Sequence, residues 1–333
     1  MSAAQKFLVI QTAFIGDVIL ASAVIEKLHQ KYPDAAIDFL LRKGNESLFT
    51  NHPLLREVLV WDKEAGKIKN LFKMVFAVRS RKYDYVINLH RYASTGLITA
   101  FSRARHTLGF DKNPWSFTFT HKIRHNFSNS LHEIDRNQKL IEFITDDMRQ
   151  LPRLYPTDGD FKAVKQFQTG TYICLAPASV WFTKQFPTNQ WIDFIKAVIN
   201  RFDFVYLLGA PGDQTLCDSI QAQSQSTKVI NLAGQLSFLQ SAALMKGAIM
   251  NFVNDSAPMH IASAMNAPVA AVYCSTVPAF GFGPLSARSF IIESTEKLPC
   301  RPCGSHGYKA CPEGHFRCAT TITTAALQSC LDT

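Results

Sequence analysis

No stretch of this chain reaches the roughly 18 uninterrupted apolar residues that a membrane-spanning helix needs, so no span is expected. The first 28 residues imitate a secretory leader, with one lysine ahead of an apolar run, but Gly16-Asp17 places a charge where such a leader must be apolar. Nucleic-acid modules are missing too: there is no aromatic RNP-like strand, no paired Cys/His finger and no basic heptad region. Charged residues make up only 18% against 47% hydrophobic, a balance that leaves no room for a long disordered tail. These absences point to a folded cytoplasmic protein with at most a peripheral hold on a membrane and no nucleic-acid partner.

With 333 residues, the chain suits two domains of ordinary size better than one core. Its net charge of +9 implies attraction to an anionic partner, either a phosphorylated small molecule or a phospholipid surface.

The pattern along the chain alternates short apolar runs with helical periodicity. Residues 6–10 (KFLVI) read as a strand, 17–28 as a helix, 36–41 as a strand, 48–51 as a short helix, 58–60 as a strand, 67–81 as a helix and 85–89 as a strand. Residues 103–139 read as irregular and basic, ending in a helix over 131–143, and Pro152, Pro156 and Gly159 read as a linker. A second series follows, with strands at 172–176, 204–208, 229–232, 248–254 and 269–273 and helices at 189–200, 213–224, 236–246 and 257–265. Alternating βα units predict mainly parallel sheets covered by helices. The boundaries are set at 1–158 and 159–333, and two such halves predict a cleft between them, with ligands beyond the carboxyl ends of the strands.

Three segments could carry chemistry. In QTAFIGDVILASAVIEKL the loop after the first strand delivers Gly16 and Asp17 to the start of a helix. Asp17 reads either as an N-cap, accepting from free amides at the positive end of the helix dipole, or as a general base for a substrate hydroxyl. In LAPASVWFTKQFPTNQW, Ser179 and Thr183 could donate to phosphate oxygens, and Lys184 reads as a solvated loop lysine or as a cation neutralising a diphosphate leaving group. In NFVNDSAPMHIASAMNAPVAAVY, Asp255, Ser256 and Ala257 sit where a strand gives way to a helix whose first amides can bind phosphate. His260, in apolar company, reads as a satisfied core histidine or as a ligand contact.

Other features stay open at this level. Cys174, Cys217 and Cys274 sit in apolar settings that suit small hydrophobes. Cys300, Cys303, Cys311 and Cys318 crowd one C-terminal loop, where zinc ligation competes with free or paired thiols. Lys67 to Lys82 hold six Lys/Arg and no acid, interleaved with Leu71, Phe72, Val75, Phe76 and Val78. That segment reads as an ordinary surface helix or as a peripheral membrane contact. Residues 101–139 hold seven Lys/Arg against three Asp/Glu and read as a seat for an acidic acceptor.

Together, GDVILASAVI, the KQFP loop, the GAPGD turn, NLAGQLSFLQSAALMKGA, NDSAPMHIASAMNAPVAAVY and the cysteine-bearing tail resemble the glycosyltransferase family that contains the ADP-heptose:lipopolysaccharide heptosyltransferases. The resemblance implies an α/β fold of GT-B type, two Rossmann-like domains, with the acceptor in the N-terminal half and the nucleotide-sugar in the C-terminal half. It implies inverting transfer of a heptose or related sugar from an ADP-sugar to an anionic glycolipid of the lipopolysaccharide inner core. By the same resemblance Asp17 is the base, Lys184 and Ser179 contact the diphosphate, and Asp255, Ser256 and His260 belong to the donor loop. Ala257 stands where that loop commonly has Gly. No metal or cofactor is implied, since the loops after the strands hold no paired-carboxylate motif and similar tails occur in members that need no metal. The alternatives are a different nucleotide-sugar or surface-glycan acceptor, or an idle sugar-nucleotide-binding protein on the same fold.

Overall fold

The structure, a computed structural model, describes residues 4–64, 66–126 and 131–332. The chain divides into two compact units, Met1–Tyr155 and Pro156–Thr333.

In the first unit the order is β1 (Lys6–Ile10), α1 (Ile15–Lys31), β2 (Ala36–Arg42), β3 (Glu57–Trp61), α2 (Lys67–Ser80), β4 (Tyr85–Asn88), α3 (Ala93–Ala100), β5 (His106–Phe110), β6 (His121–Ile123) and α4 (Glu133–Lys139). Its six strands are parallel in the order β3-β2-β1-β4-β5-β6, with Val9 of β1 level with Phe39 of β2 and Ile87 of β4. Phe7, Leu8, Val9 and Ile10 are fully buried because helices cover both faces of a central parallel strand, which is why β1 is a continuous apolar run.

The second unit repeats the plan with α5 (Asp158–Val164), β7 (Tyr172–Ala176), α6 (Thr188–Val198), β8 (Phe204–Leu207), α7 (Gln214–Ser224), β9 (Val229–Asn231), α8 (Phe238–Gly247), β10 (Asn251–Asn254), α9 (Ala257–Ala264), β11 (Val269–Tyr273) and β12 (Ser289–Glu293). Its sheet runs β12-β11-β10-β7-β8-β9, the same winding as the first. The core is aromatic: Trp191 of α6 meets Phe186 edge-on at 5.0 Å, and Phe194 meets Phe252 of β10 at 4.5 Å. In each unit the winding reverses once, between β1 and β4 and between β7 and β10, and the loops leaving those strands form a crevice at their carboxyl ends.

Several expectations need correction. The segment 103–139, read as irregular, contains β5 and β6; β6 is a three-residue edge strand (HKI) with exposed side chains and so carries no apolar signature. Residues 127–130 of that segment lie outside the described residues. The helix expected over 131–143 is only α4, followed by a 3-10 turn at Glu142–Ile144. Gly159 is no linker residue. It stands in the first turn of α5, where Thr157 and Asp160 bond each other's backbone amides in a capping box. The short helix expected at 48–51 is a 3-10 turn over Glu46–Phe49.

Candidate active site

The loop between β1 and α1 is held from two sides. Lys63, just beyond β3, donates through Nζ to the Thr12 carbonyl at 3.0 Å and the Thr12 hydroxyl at 2.8 Å. Asn45 donates to the Ala13 carbonyl at 3.2 Å. The helix then starts at Ile15 with Phe14 as its N-cap residue, so Gly16 and Asp17 are the second and third helical residues. Asp17 is therefore not the N-cap that one reading made it. It lies in the first turn, at the positive end of the helix dipole and at the carboxyl edge of the sheet.

Two basic residues that the sequence reading missed share that edge. Lys63 is pushed down to about 8, first by burial and then by the nearby Arg42 charge. His90, immediately past β4, is pushed down to about 3 by burial and by the Lys63 and Arg91 charges, so it is a neutral imidazole at physiological pH. Its Nδ1 is buried without a hydrogen-bond partner among the described residues. The signal available in the sequence was positional: each lies two residues past the carboxyl end of a strand, Lys63 after β3 and His90 after β4.

The Lys63 shift has a measurable consequence. The unfolded chain holds this proton up to its usual value near 10.5, whereas the folded chain releases it near 8. Folding stability should therefore rise between those pH values by this contribution, and a Lys63→Met variant should lose that part of the slope in denaturant titrations. An unchanged slope would mean the lysine is better solvated than its position indicates.

The second unit builds its site at its own reversal point. The loop leaving β7 carries Ser179 and ends in a 3-10 turn, Phe182–Lys184, while β10 ends at Asn254 and leads through Asp255 and Ser256 into α9. The two loops are stitched together by the buried Asn254 side chain, which accepts from the Phe186 amide at 3.0 Å and donates to the Pro177 carbonyl at 2.8 Å. On that base Lys184 Nζ pairs with Asp255 Oδ2 at 2.7 Å, both side chains mostly buried. Thr276 donates to the same carboxylate oxygen at 2.6 Å. The pair fixes the direction of a long lysine side chain and leaves its other N–H bonds available to an anion.

The remaining predicted residues fall into two groups. Ser179 is partly exposed on its loop, Ser256 is the N-cap residue of α9 without a capping bond from its side chain, and Ala257 is the first residue of that helix. Thr183 and His260 are interior residues. Thr183 Oγ1 accepts from the Tyr308 amide at 2.7 Å and from the Ser275 hydroxyl at 3.0 Å, beneath the loop rather than on it. His260 is 4% exposed, with its ring near Phe282.

Tyr308 belongs to the cysteine-rich tail, so that tail packs against the Lys184 loop. Its Gly307, at φ 79°, has no room for a side chain: a Cβ there would come within 2.9 Å of Thr183 Oγ1 and 3.2 Å of Lys184 Cγ. Arg301 anchors the tail through the Cys274 carbonyl at 2.7 Å and the Thr276 carbonyl at 2.8 Å. All eight cysteines are free. Among the described residues no three His, Cys, Asp or Glu side chains converge as metal ligands do.

A family model, glycosyltransferase family 9 (heptosyltransferase), matches residues 71–310. The chain is 28% identical over 278 residues to lipopolysaccharide heptosyltransferase 3 of Escherichia coli K12, covering 78% of this chain and 80% of that one. Among solved structures it is similar to E. coli ADP-heptose lipopolysaccharide heptosyltransferase II, at a TM-score of 0.81 and 22% identity over 98% of both chains. It is also similar to E. coli heptosyltransferase WaaC with ADP, at 0.74 and 16% identity over 98% of this chain and 99% of that one. The two Rossmann-like sheets are accordingly a GT-B type fold. Since the family model covers most of the chain and both reversal-point loops of the second unit, this protein belongs to glycosyltransferase family 9, the heptosyltransferase family, and is a glycosyltransferase.

Proposed function

We propose that this enzyme transfers a heptose, or a closely related sugar, with inversion from an ADP-sugar to an anionic glycolipid of the lipopolysaccharide inner core. The observation that carries the donor half is the Lys184–Asp255 pair set between two loops at the carboxyl edge of the second sheet. The relatives' names support ADP-heptose as donor and lipopolysaccharide as acceptor. The acceptor belongs to the N-terminal half, residues 1–158, where Lys63 and Arg91 supply positive charge near Asp17's edge. The donor belongs to residues 159–333.

In this reading the Asp17 carboxylate takes the proton of the acceptor hydroxyl as its oxygen bonds to the anomeric carbon. The bond from that carbon to the donor's diphosphate breaks, and ADP departs with one more negative charge. Lys184, Ser179 and the first amides of α9, with the Ser256 hydroxyl, receive that charge. Thr276 keeps a bond to Asp255 while the lysine turns to phosphate, so the carboxylate is never left bare. The enzyme works on the cytoplasmic side of the inner membrane, in peripheral contact with it.

The deciding experiment measures turnover with ADP-heptose beside UDP- and GDP-sugars, together with the glycolipid made by a strain lacking the gene. Turnover confined to ADP-heptose and a core short of one heptose are expected. Turnover with another donor would reassign the substrate, and binding without turnover would leave an idle binding protein.

Activity should also survive exhaustive chelation. The diphosphate meets a lysine here, and Asp255, the one acidic residue of the donor loop, is already committed to that lysine. Activity lost to chelator and restored by magnesium or manganese would refute this.

A further inference from the structure

Helix α2 is only half accounted for by the fold. Met74, Val75 and Val78 are buried against the sheet, yet Ile68 is 71% exposed, Phe72 51% and Phe76 64%. At four-residue spacing these three line up in one stripe on the outward side, and Lys69 and Lys73 border it. The expected single apolar stripe toward the sheet is thus joined by a second that faces water.

The stripe ends in an open depression of about 630 Å3, lined by Phe76, Arg79, Lys82, Arg103, Arg105 and Asp84 among others. Four cations meet one carboxylate there. Asp84 is already engaged by Arg105 at 3.7 Å and by the Lys6 amide at 3.0 Å. Lys82 and Arg103 both adopt left-handed backbone conformations, at φ 53° and 58°, which non-glycine residues seldom take.

We propose that α2 and this depression form a docking surface for a bilayer containing anionic phospholipid. The apolar stripe would enter the headgroup–acyl boundary, Lys69 and Lys73 would reach up to the headgroup level, and the arginines would take lipid phosphates through paired N–H bonds. A second copy of this chain fits the surface poorly, because a two-fold contact would set the same cations against each other. The membrane-embedded acceptor of the proposed function gives the surface its purpose, but docking on lipid is measurable without it.

The test is vesicle co-sedimentation of the full chain, using phosphatidylcholine alone and phosphatidylcholine mixed with phosphatidylglycerol. Binding to the mixed vesicles should exceed binding to the neutral ones at least about tenfold and weaken with salt. Phe72→Ser/Phe76→Ser and Arg79→Glu/Lys82→Glu should each cut binding about tenfold or more, with melting temperature and ADP affinity unchanged. Both double variants should turn over a deacylated, water-soluble acceptor as the wild type does and lose activity only on acceptor held in vesicles. Equal binding to the two vesicle types, or variants that bind as the wild type does, would overturn the proposal. A dimer by light scattering that Phe72→Ser/Phe76→Ser dissolves would give the surface to a second copy instead. A wild type inactive on the soluble acceptor would count against the proposed function, while vesicle binding would still decide the docking surface.

Discussion

Asp17→Asn should lower kcat by roughly a hundredfold or more while leaving donor affinity and melting temperature near wild type. Asn is nearly the same size and keeps hydrogen-bonding capacity in the first turn of α1, but it cannot take a proton from an attacking hydroxyl, a step worth about 100- to 10,000-fold. Asp17 is the third helical residue and Phe14 fills the N-cap position, so the side chain is not needed to start the helix. Among what the substitution removes is a favourable charge–dipole interaction of about 0.3–1 kcal/mol. Donor affinity should hold because the donor contacts belong to the other unit. Turnover, ADP affinity and melting temperature measured on Asn and Ala variants settle the role. An Asn variant with full activity would leave the mechanism without its base.

Lys184→Ala should cost on the order of 2–4 kcal/mol of transition-state stabilisation, the usual worth of one preorganised electrostatic donor, seen as a fall in kcat/KM for the donor. The loss should fall on kcat as well as KM, because the diphosphate gains charge as the bond to the sugar breaks. There is a structural side effect to separate. Removing the lysine leaves Asp255, 6% exposed, with the Thr276 hydroxyl but without its cation, and an uncompensated buried carboxylate is destabilising. Lys184→Ala/Asp255→Asn removes both charges and should restore melting temperature without restoring turnover. Recovery of turnover in the double variant would show that the lysine serves the fold and not the leaving group.

Much of this was legible in the sequence because the decisive signals are local. A buried parallel strand announces itself as an apolar run, as in KFLVI and YICLA, and a strand–loop–helix junction such as NFVNDSAPMH names its own edge residues. The edge strands were harder: β6 is polar and three residues long, and β12 has exposed positions, so neither carries a periodic signature. Side-chain pairing across the sequence was not legible either. That Lys184 would meet Asp255 depends on β7 and β10 lying side by side, which follows from winding and not from either loop's composition. Thr183 looked like a phosphate donor by its place in the loop, but its side chain is buried and its oxygen accepts from a tail more than a hundred residues away. Lys63 and His90 escaped notice because a lone lysine or histidine after a strand has no motif; only burial and neighbouring cations, Arg42 for the lysine and Lys63 with Arg91 for the histidine, give them their shifted protonation.

The contact between the cysteine-rich tail and the lysine loop makes the last third of the second unit more than an appendage. Thr183 shares backbone and hydroxyl bonds with Ser275 and with Tyr308, and Gly307 fits the remaining gap by having no side chain. The loop that presents Lys184 therefore rests on a floor laid by residues that come after every strand of both sheets. A chain cut after β12 would keep all twelve strands and lose that floor. Whatever changes the shape of the thiol-bearing segment, whether oxidation or a captured ion, would be felt first at the lysine.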